Sequence, residues 1–130
     1  ENVATVEALE GFGQSAVSME AILSWNPEVI IVQGGTGAYE LITTSEDWAS
    51  VTAVQEGRVY EMPNKPFGWA DRPPGANRYI GLLWLANLLY PEEMNMDFTE
   101  AVIDYYKVIY HTDITAEDVY ALLVYSMGSK

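Results

Sequence analysis

Residues 28–33, EVIIVQ, constrain the fold of this chain more than any other stretch. The continuous run of β-branched apolar residues is typical of a short strand that is covered on both faces. A short helix precedes it, because Ser18 is a good N-cap and Asn26-Pro27 provides a stop. A buried strand directly after a helix is the pattern of an α/β domain.

The rest of the chain is predicted to contain five more helices and one more strand. The predicted elements are a helix in AYELITT (38–44), a second short helix in EDWASV (46–51), a strand at 58–62, a long helix at 77–89 and two closing helices that begin at Asp97 and Thr115. This order predicts one three-layer α/β sandwich around a small, mainly parallel sheet. Two strands make a thin sheet for a free-standing domain, so we expect part of the protein to lie outside this chain.

The charge of the chain excludes several classes of partner. Nineteen Asp and Glu against six Lys and Arg give a net charge of -13 over 130 residues. Nucleic acid and anionic lipid both require a basic surface, so we expect neither as a partner. The longest apolar run, YIGLLWLANLLY (79–90), has twelve residues and is too short to span a bilayer; it is predicted to be a buried helix.

The residue types of a catalytic or metal site are scarce. The chain contains no cysteine, one histidine and no G-x-S-x-G motif. His111 with Asp113 is a poor zinc site, and surface or capping duty is the better interpretation of this histidine. The turn GGTG (34–37) has no G-K-[ST] sequence after it, so a phosphate cradle is only a weak alternative to a flexible turn. We therefore predict no enzyme activity, no cofactor and no bound structural metal.

The segment PFGWADRPPGANR (66–78) concentrates the scarce positive charge beside aromatic residues. Lys65, Arg72 and Arg78 are half of all cations in the chain, and Phe67 and Trp69 lie between them. Arginine offers a fork of N–H donors and stacks on rings, which suits an anionic, partly aromatic ligand. The alternatives are core packing for the two aromatic residues, a salt bridge for Arg72 and a structural contact for Arg78.

Three segments in series resemble the carboxy-terminal lobe of the substrate-binding proteins of iron-siderophore, haem and cobalamin ABC importers. They are VSMEAILSWNPEVIIV (17–32), WASVTAVQEGRVYEMP (48–63) and PFGWADRPPGANRYIGLLWLANLLYPE (66–92). The resemblance implies a two-lobed extracytoplasmic protein that holds its ligand between the lobes. It implies that residues 1–130 are the carboxy-terminal lobe, without the amino-terminal lobe and the linking helix. A lipid anchor in the full-length protein is left open.

The resemblance also implies a function and a set of site residues. The implied ligand is an iron complex of the ferric siderophore type; cobalamin, haem or an oxyanion bound by the same fold, and a protein-interaction module, are the alternatives. The residues implied to line or rim the cleft are Phe67, Trp69, Arg72, Arg78, Phe12 and Gln14.

Glu20 is the residue implied to dock on the ABC permease. An exposed carboxylate on a rigid helix start gives steering and register in a transient complex. A first-turn glutamate that interacts favourably with the helix dipole is the alternative.

Overall fold

The structure is a computed structural model that describes residues 2–4, 16–70 and 75–127. Within these ranges seven α-helices, two strands and one short 3-10 helix follow one another. They are α1 (Met19–Trp25), β1 (Ile30–Val32), α2 (Ala38–Thr44), a 3-10 helix (Glu46–Trp48), α3 (Thr52–Gln55), β2 (Val59–Glu61), α4 (Asn77–Leu89), α5 (Pro91–Met94), α6 (Phe98–Tyr110) and α7 (Ala116–Leu122).

The two strands form a parallel pair. Ile30 lies opposite Val59 and Val32 lies opposite Glu61, and α2, the 3-10 helix and α3 make the crossover between the strands. Because the strands are parallel, both end at one edge of the sheet. The loops that follow β1 and β2 therefore begin side by side.

Helices cover the two faces of this sheet in two separate apolar clusters. One cluster lies on the side of α1, α2 and α3, and its buried members are Val32, Ile42, Val51, Ala53 and Val59. The other lies on the side of α4, α6 and α7, and its buried members are Tyr60, Trp69, Ile80, Trp84, Phe98, Val102, Val119 and Leu123. Adjacent residues of β2 thus point to opposite clusters, as the pleat of a strand requires. The predicted three-layer α/β sandwich is confirmed.

Three predicted helix starts are confirmed by their capping hydrogen bonds. The Ser18 hydroxyl accepts from the N–H of Ala21 at 3.2 Å. The Asp97 carboxylate accepts from the N–H of Glu100 at 3.0 Å. At α7, Thr115 and Asp118 form a reciprocal capping box. Caps depend on residues within one turn, and for that reason the sequence predicts them well.

Two predictions of burial were only partly right. Ile31 of β1 is 37% exposed, so one face of this strand is not fully covered within the described residues. In α4, Ile80 and Trp84 are buried, but Tyr79 is 76% and Leu82 is 68% exposed. The helix is largely apolar around its circumference, while the described part of the domain covers only one side of it, so the prediction of a buried helix is only partly right.

Two further differences are local. The segment EDWASV forms a 3-10 turn, and the α-helix that follows begins only at Thr52. Helix α5 was not predicted; Pro91 occupies its first turn, where a missing N–H costs nothing. Among the described residues, no helix is both long and apolar enough to cross a membrane.

Candidate functional site

The carboxyl edge of the sheet brings two predicted loops together. Residues 33–37 follow β1, and residues 63–70, which we call the aromatic loop, follow β2. The N–H of Gly35 donates to the Glu61 carboxylate at 2.5 Å, and the N–H of Met62 donates to the Val32 carbonyl at 2.8 Å. In open α/β sheets ligands bind outside the carboxyl ends of the strands. This edge is therefore the candidate ligand-binding site.

The glycine turn at this edge is shaped by its own packing. A Cβ at Gly34 would overlap the Met62 carbonyl oxygen, and Gly35 and Gly37 both have φ of 75°. The Gly35 N–H is already bound to a carboxylate. The glycines thus allow a tight turn that packs against β2, in agreement with the turn interpretation. The phosphate-cradle alternative has no support.

A cavity of about 230 Å³ opens beside this turn and is lined in part by Glu61, Asn64 and Ser126. The carboxylate of Glu61 in its wall would repel an anion. Lys65, the exposed cation of the aromatic loop, lines the same cavity. The described wall of the cavity therefore carries one negative and one positive side chain, and an anion would bind on the side of Lys65.

Trp69 does not face a cleft. Its side chain is 0% exposed and packs edge-on against Phe98 with ring centroids 6.5 Å apart. Its indole N–H donates to the Lys65 carbonyl at 3.0 Å. The interpretation of Trp69 as a wall of the ligand site is corrected to core packing, because α4 and α6 close over the side chain and leave no surface for a ligand.

Phe67, two residues earlier, has the opposite environment. The residue is 56% exposed, while its carbonyl accepts from the Asn77 side-chain amide at 2.8 Å. The side chain is thus available to a ligand on a backbone that is fixed from beneath. Arg78 is exposed on the first turn of α4, after the end of the same loop region.

Three predicted site residues lie outside the described residues. They are Phe12, Gln14 and Arg72. Arg72 lies in the chain between Ala70 and Gly75, so it belongs to the connection from the aromatic loop to α4. Its role stays a prediction.

Glu20 lies in a different layer from the aromatic loop. It is exposed on α1, and its neighbours Met19 and Ile22 pack in the cluster opposite α4. Hydrogen bonds from its own backbone N–H and from the Ser18 side chain hold the pKa of this carboxyl below its ordinary value. Glu20 is therefore a negative charge on the layer of α1, whereas the aromatic loop packs against the layer of α4 and α6.

The described residues contain no cluster of three His, Asp or Glu side chains that would hold a metal ion. His111 caps the carboxyl end of α6 with a φ of 52°, and its N–H donates to the Tyr106 carbonyl. The predicted capping duty of His111 is confirmed.

Sequence reasoning missed a polar network beneath the aromatic loop. Asn77 is 2% exposed, and its Oδ1 accepts from the hydroxyls of Tyr105 at 3.1 Å and Tyr110 at 2.5 Å. The Tyr106 hydroxyl donates to the Lys65 carbonyl at 2.6 Å. The only signal in the sequence is an asparagine at the start of α4 and three tyrosines on α6, which by itself does not reveal a contact.

The comparisons with known proteins agree with an α/β lobe whose candidate ligand site lies at the carboxyl edge of its sheet. A family model described as periplasmic binding protein matches residues 1–66, half of the chain. The chain belongs to this family, and its location is extracytoplasmic. The resemblance found in the sequence is confirmed at this level.

Individual relatives are longer than this chain. It is 36% identical over 113 residues to the molybdate-binding protein MolA of Haemophilus influenzae. The matched segment covers 85% of this chain and 31% of MolA. The chain thus spans about a third of that relative.

Solved structures give the same result. An ABC transporter solute-binding protein from Sulfurospirillum deleyianum has 36% identity and a TM-score of 0.78 over 85% of this chain and 34% of its own. MolA of Haemophilus influenzae with bound molybdate has 34% identity and a TM-score of 0.69 over 88% of this chain and 34% of its own. These relatives are binding proteins and not enzymes.

Proposed function

We propose that the full-length protein is the solute-binding protein of an ABC importer and that its solute is a small oxyanion of the molybdate type. In this proposal the present residues belong to the carboxy-terminal lobe, and the protein carries no enzymatic activity. The observation that carries the ligand class is the 36% identity to a molybdate-binding protein over 113 residues.

The distribution of charge supports an anionic ligand. The chain has a net charge of -13, yet three of its six cations fall within residues 65–78. A bound anion between two lobes is partly removed from water, where each opposite charge acts more strongly than at an open surface. An arginine on this segment, Arg72, offers two parallel N–H donors to two oxygens of one oxyanion.

A ferric chelate is the second candidate, and the exposed ring of Phe67 favours it. An aromatic side chain that is 56% exposed beside an exposed lysine is a surface on which a flat, anionic chelate can stack. None of the relatives described above is named for iron. The iron-siderophore ligand therefore stays a prediction, as do haem and cobalamin.

A ligand panel separates the two candidates. The melting temperature of the purified full-length protein is measured with molybdate, tungstate, sulfate, phosphate and a set of ferric siderophores. A solute present at 100 times its Kd adds about 2.7 kcal/mol to the free energy of unfolding. We expect stabilisation by molybdate and tungstate and none by the siderophores.

A shift with one ferric siderophore and none with the oxyanions would replace the first candidate by the second. Stabilisation by no member of the panel would contradict both. Equal stabilisation by sulfate and phosphate would show a general salt effect and would also contradict a molybdate site.

The permease is the proposed protein partner, with Glu20 as a contact. We expect Glu20→Gln to leave the molybdate affinity of the full-length protein within about twofold, because α1 and the aromatic loop lie in different layers. Cellular uptake through the cognate permease is expected to fall about fivefold or more, since a docking charge that is removed weakens a transient complex.

Glu40→Gln is the matched control, because Glu40 is also an exposed glutamate in the first turn of a short helix. If both variants lower uptake equally, the effect belongs to the overall negative charge and not to Glu20. If neither lowers uptake, Glu20 only stabilises its helix.

A further inference from the structure

The aromatic loop is held from beneath at several points along its backbone. The Lys65 carbonyl accepts from the Tyr106 hydroxyl and from the Trp69 indole N–H. The Phe67 carbonyl accepts from Asn77, and the Trp69 N–H donates to the Pro63 carbonyl at 3.0 Å. All of these bonds use the loop's backbone or the buried Trp69. None of them uses the side chain of Phe67.

Helix α4 is shaped to receive the loop. Asn77 and Gly81 are four residues apart and lie on one face of the helix, beneath the loop. At Gly81 a side chain would overlap the Trp69 carbonyl, so this glycine lets the loop rest directly on the helix. The loop is thus seated on α4 at two successive turns.

The Phe67 carbonyl, which can only accept, fixes the orientation of the Asn77 amide. Nδ2 must face this carbonyl, and Oδ1 then accepts from the hydroxyls of Tyr105 and Tyr110. A flipped amide would set two oxygens against each other and lose the bond to the loop. Burial is the main cause that raises the pKa of Tyr105 and Tyr106 to about 12. Both hydroxyls are therefore neutral donors at physiological pH.

We infer that Asn77, Tyr105 and Tyr110 are positioning residues for ligand binding. Asn77 holds the Phe67 carbonyl and the two tyrosine hydroxyls hold Asn77, so the three residues set where the aromatic loop presents its exposed side chains, Lys65 and Phe67. This inference rests on the proposed function, and it adds to it the buried Asn77 and the half-buried Tyr105 and Tyr110 as residues on which the affinity depends.

The test removes the two hydroxyls and leaves the rings in place, in the full-length protein carrying Tyr105→Phe and Tyr110→Phe. Hydrogen–deuterium exchange of the ligand-free protein is followed in peptides that cover residues 63–70. Molybdate affinity is measured by calorimetry on the same samples. The matched control carries Tyr90→Phe and Tyr120→Phe, because these two tyrosines are exposed.

We expect exchange in residues 63–70 to rise about fivefold or more, since the two bonds that hold the Asn77 amide beneath the loop are lost. Exchange in α1 and α2 stays unchanged, which a general loss of stability would not allow. The Kd for molybdate is expected to rise about tenfold, with the control unchanged. If the double variant does not fold, Tyr110→Phe alone is tested. For this variant we expect a smaller rise in the exchange of residues 63–70 and in the Kd for molybdate.

Unchanged exchange in residues 63–70 would overturn the inference, and so would raised exchange with an unchanged Kd. If the wild-type protein binds no molybdate, the proposed oxyanion function fails. The exchange measurement then still decides whether the network holds the loop, because it is made without ligand.

Discussion

Gly81→Ala is expected to destabilise the full-length protein by about 2–3 kcal/mol, although alanine is the better helix former. The gain in helix propensity is about 1 kcal/mol. Against it, the new Cβ would overlap the carbonyl of Trp69, a backbone group that cannot rotate away. Overpacking of this kind costs about 1–3 kcal/mol, and contact with backbone lies at the upper end or beyond. The cost of this overlap exceeds the gain in helix propensity, so the substitution lowers the free energy of unfolding.

Urea denaturation measures this loss of stability, and Gly37→Ala is its matched control. At Gly37 no atom lies within 4 Å of the added Cβ, but φ is 75°, so this substitution carries only the backbone strain of about 1 kcal/mol. Equal stability of the Gly81→Ala variant and the wild-type protein would contradict the close seat of the aromatic loop on α4.

Arg72→Ala is expected to raise the Kd of the full-length protein for molybdate about 100-fold, with little change in the melting temperature of the ligand-free protein. Loss of one partner from a desolvated charge pair costs about 2–5 kcal/mol of binding free energy. Arg72→Lys keeps the charge but loses the paired donors, so an intermediate Kd is expected. Calorimetric titration measures all three proteins.

Arg58→Ala is the matched control for this series. Arg58 precedes β2 and therefore lies at the opposite edge of the sheet from the aromatic loop, 3.9 Å from Glu56. Its removal changes the net charge by the same amount and is expected to change the Kd by less than twofold. A similar loss of affinity in both variants would mean that the overall charge, and not the loop, attracts the anion.

The parts of the fold that depend on near neighbours in the chain were predictable. Each of three capping side chains bonds a backbone N–H only three residues later; they belong to Ser18, Asp97 and Thr115. The bounds of α4 likewise follow from the residues at its two ends. Family membership was also visible, because three segments match in order and spacing.

Burial on the aromatic loop was not predictable in the same way. Phe67 and Trp69 are two residues apart and chemically alike, yet one is exposed and the other fully buried. What separates them is the position of α4 and α6, which come later in the chain. The Asn77 network is hidden for the same reason, since its hydrogen bonds join residues 28 and 33 positions apart.

The ligand class was the least predictable property of the protein. Cations beside an aromatic residue suit an oxyanion and an anionic chelate alike, so the loop composition favours an anion without naming it. Similarity to a molybdate-binding protein shifts the proposal from an iron chelate to an oxyanion.

Calorimetric titration of the purified full-length protein with molybdate tests the central claim most directly. We expect saturable binding with one site per molecule, competition by tungstate and none by an equal concentration of sulfate. Absence of heat with molybdate, together with saturable binding of a ferric siderophore by the same sample, would contradict the oxyanion proposal.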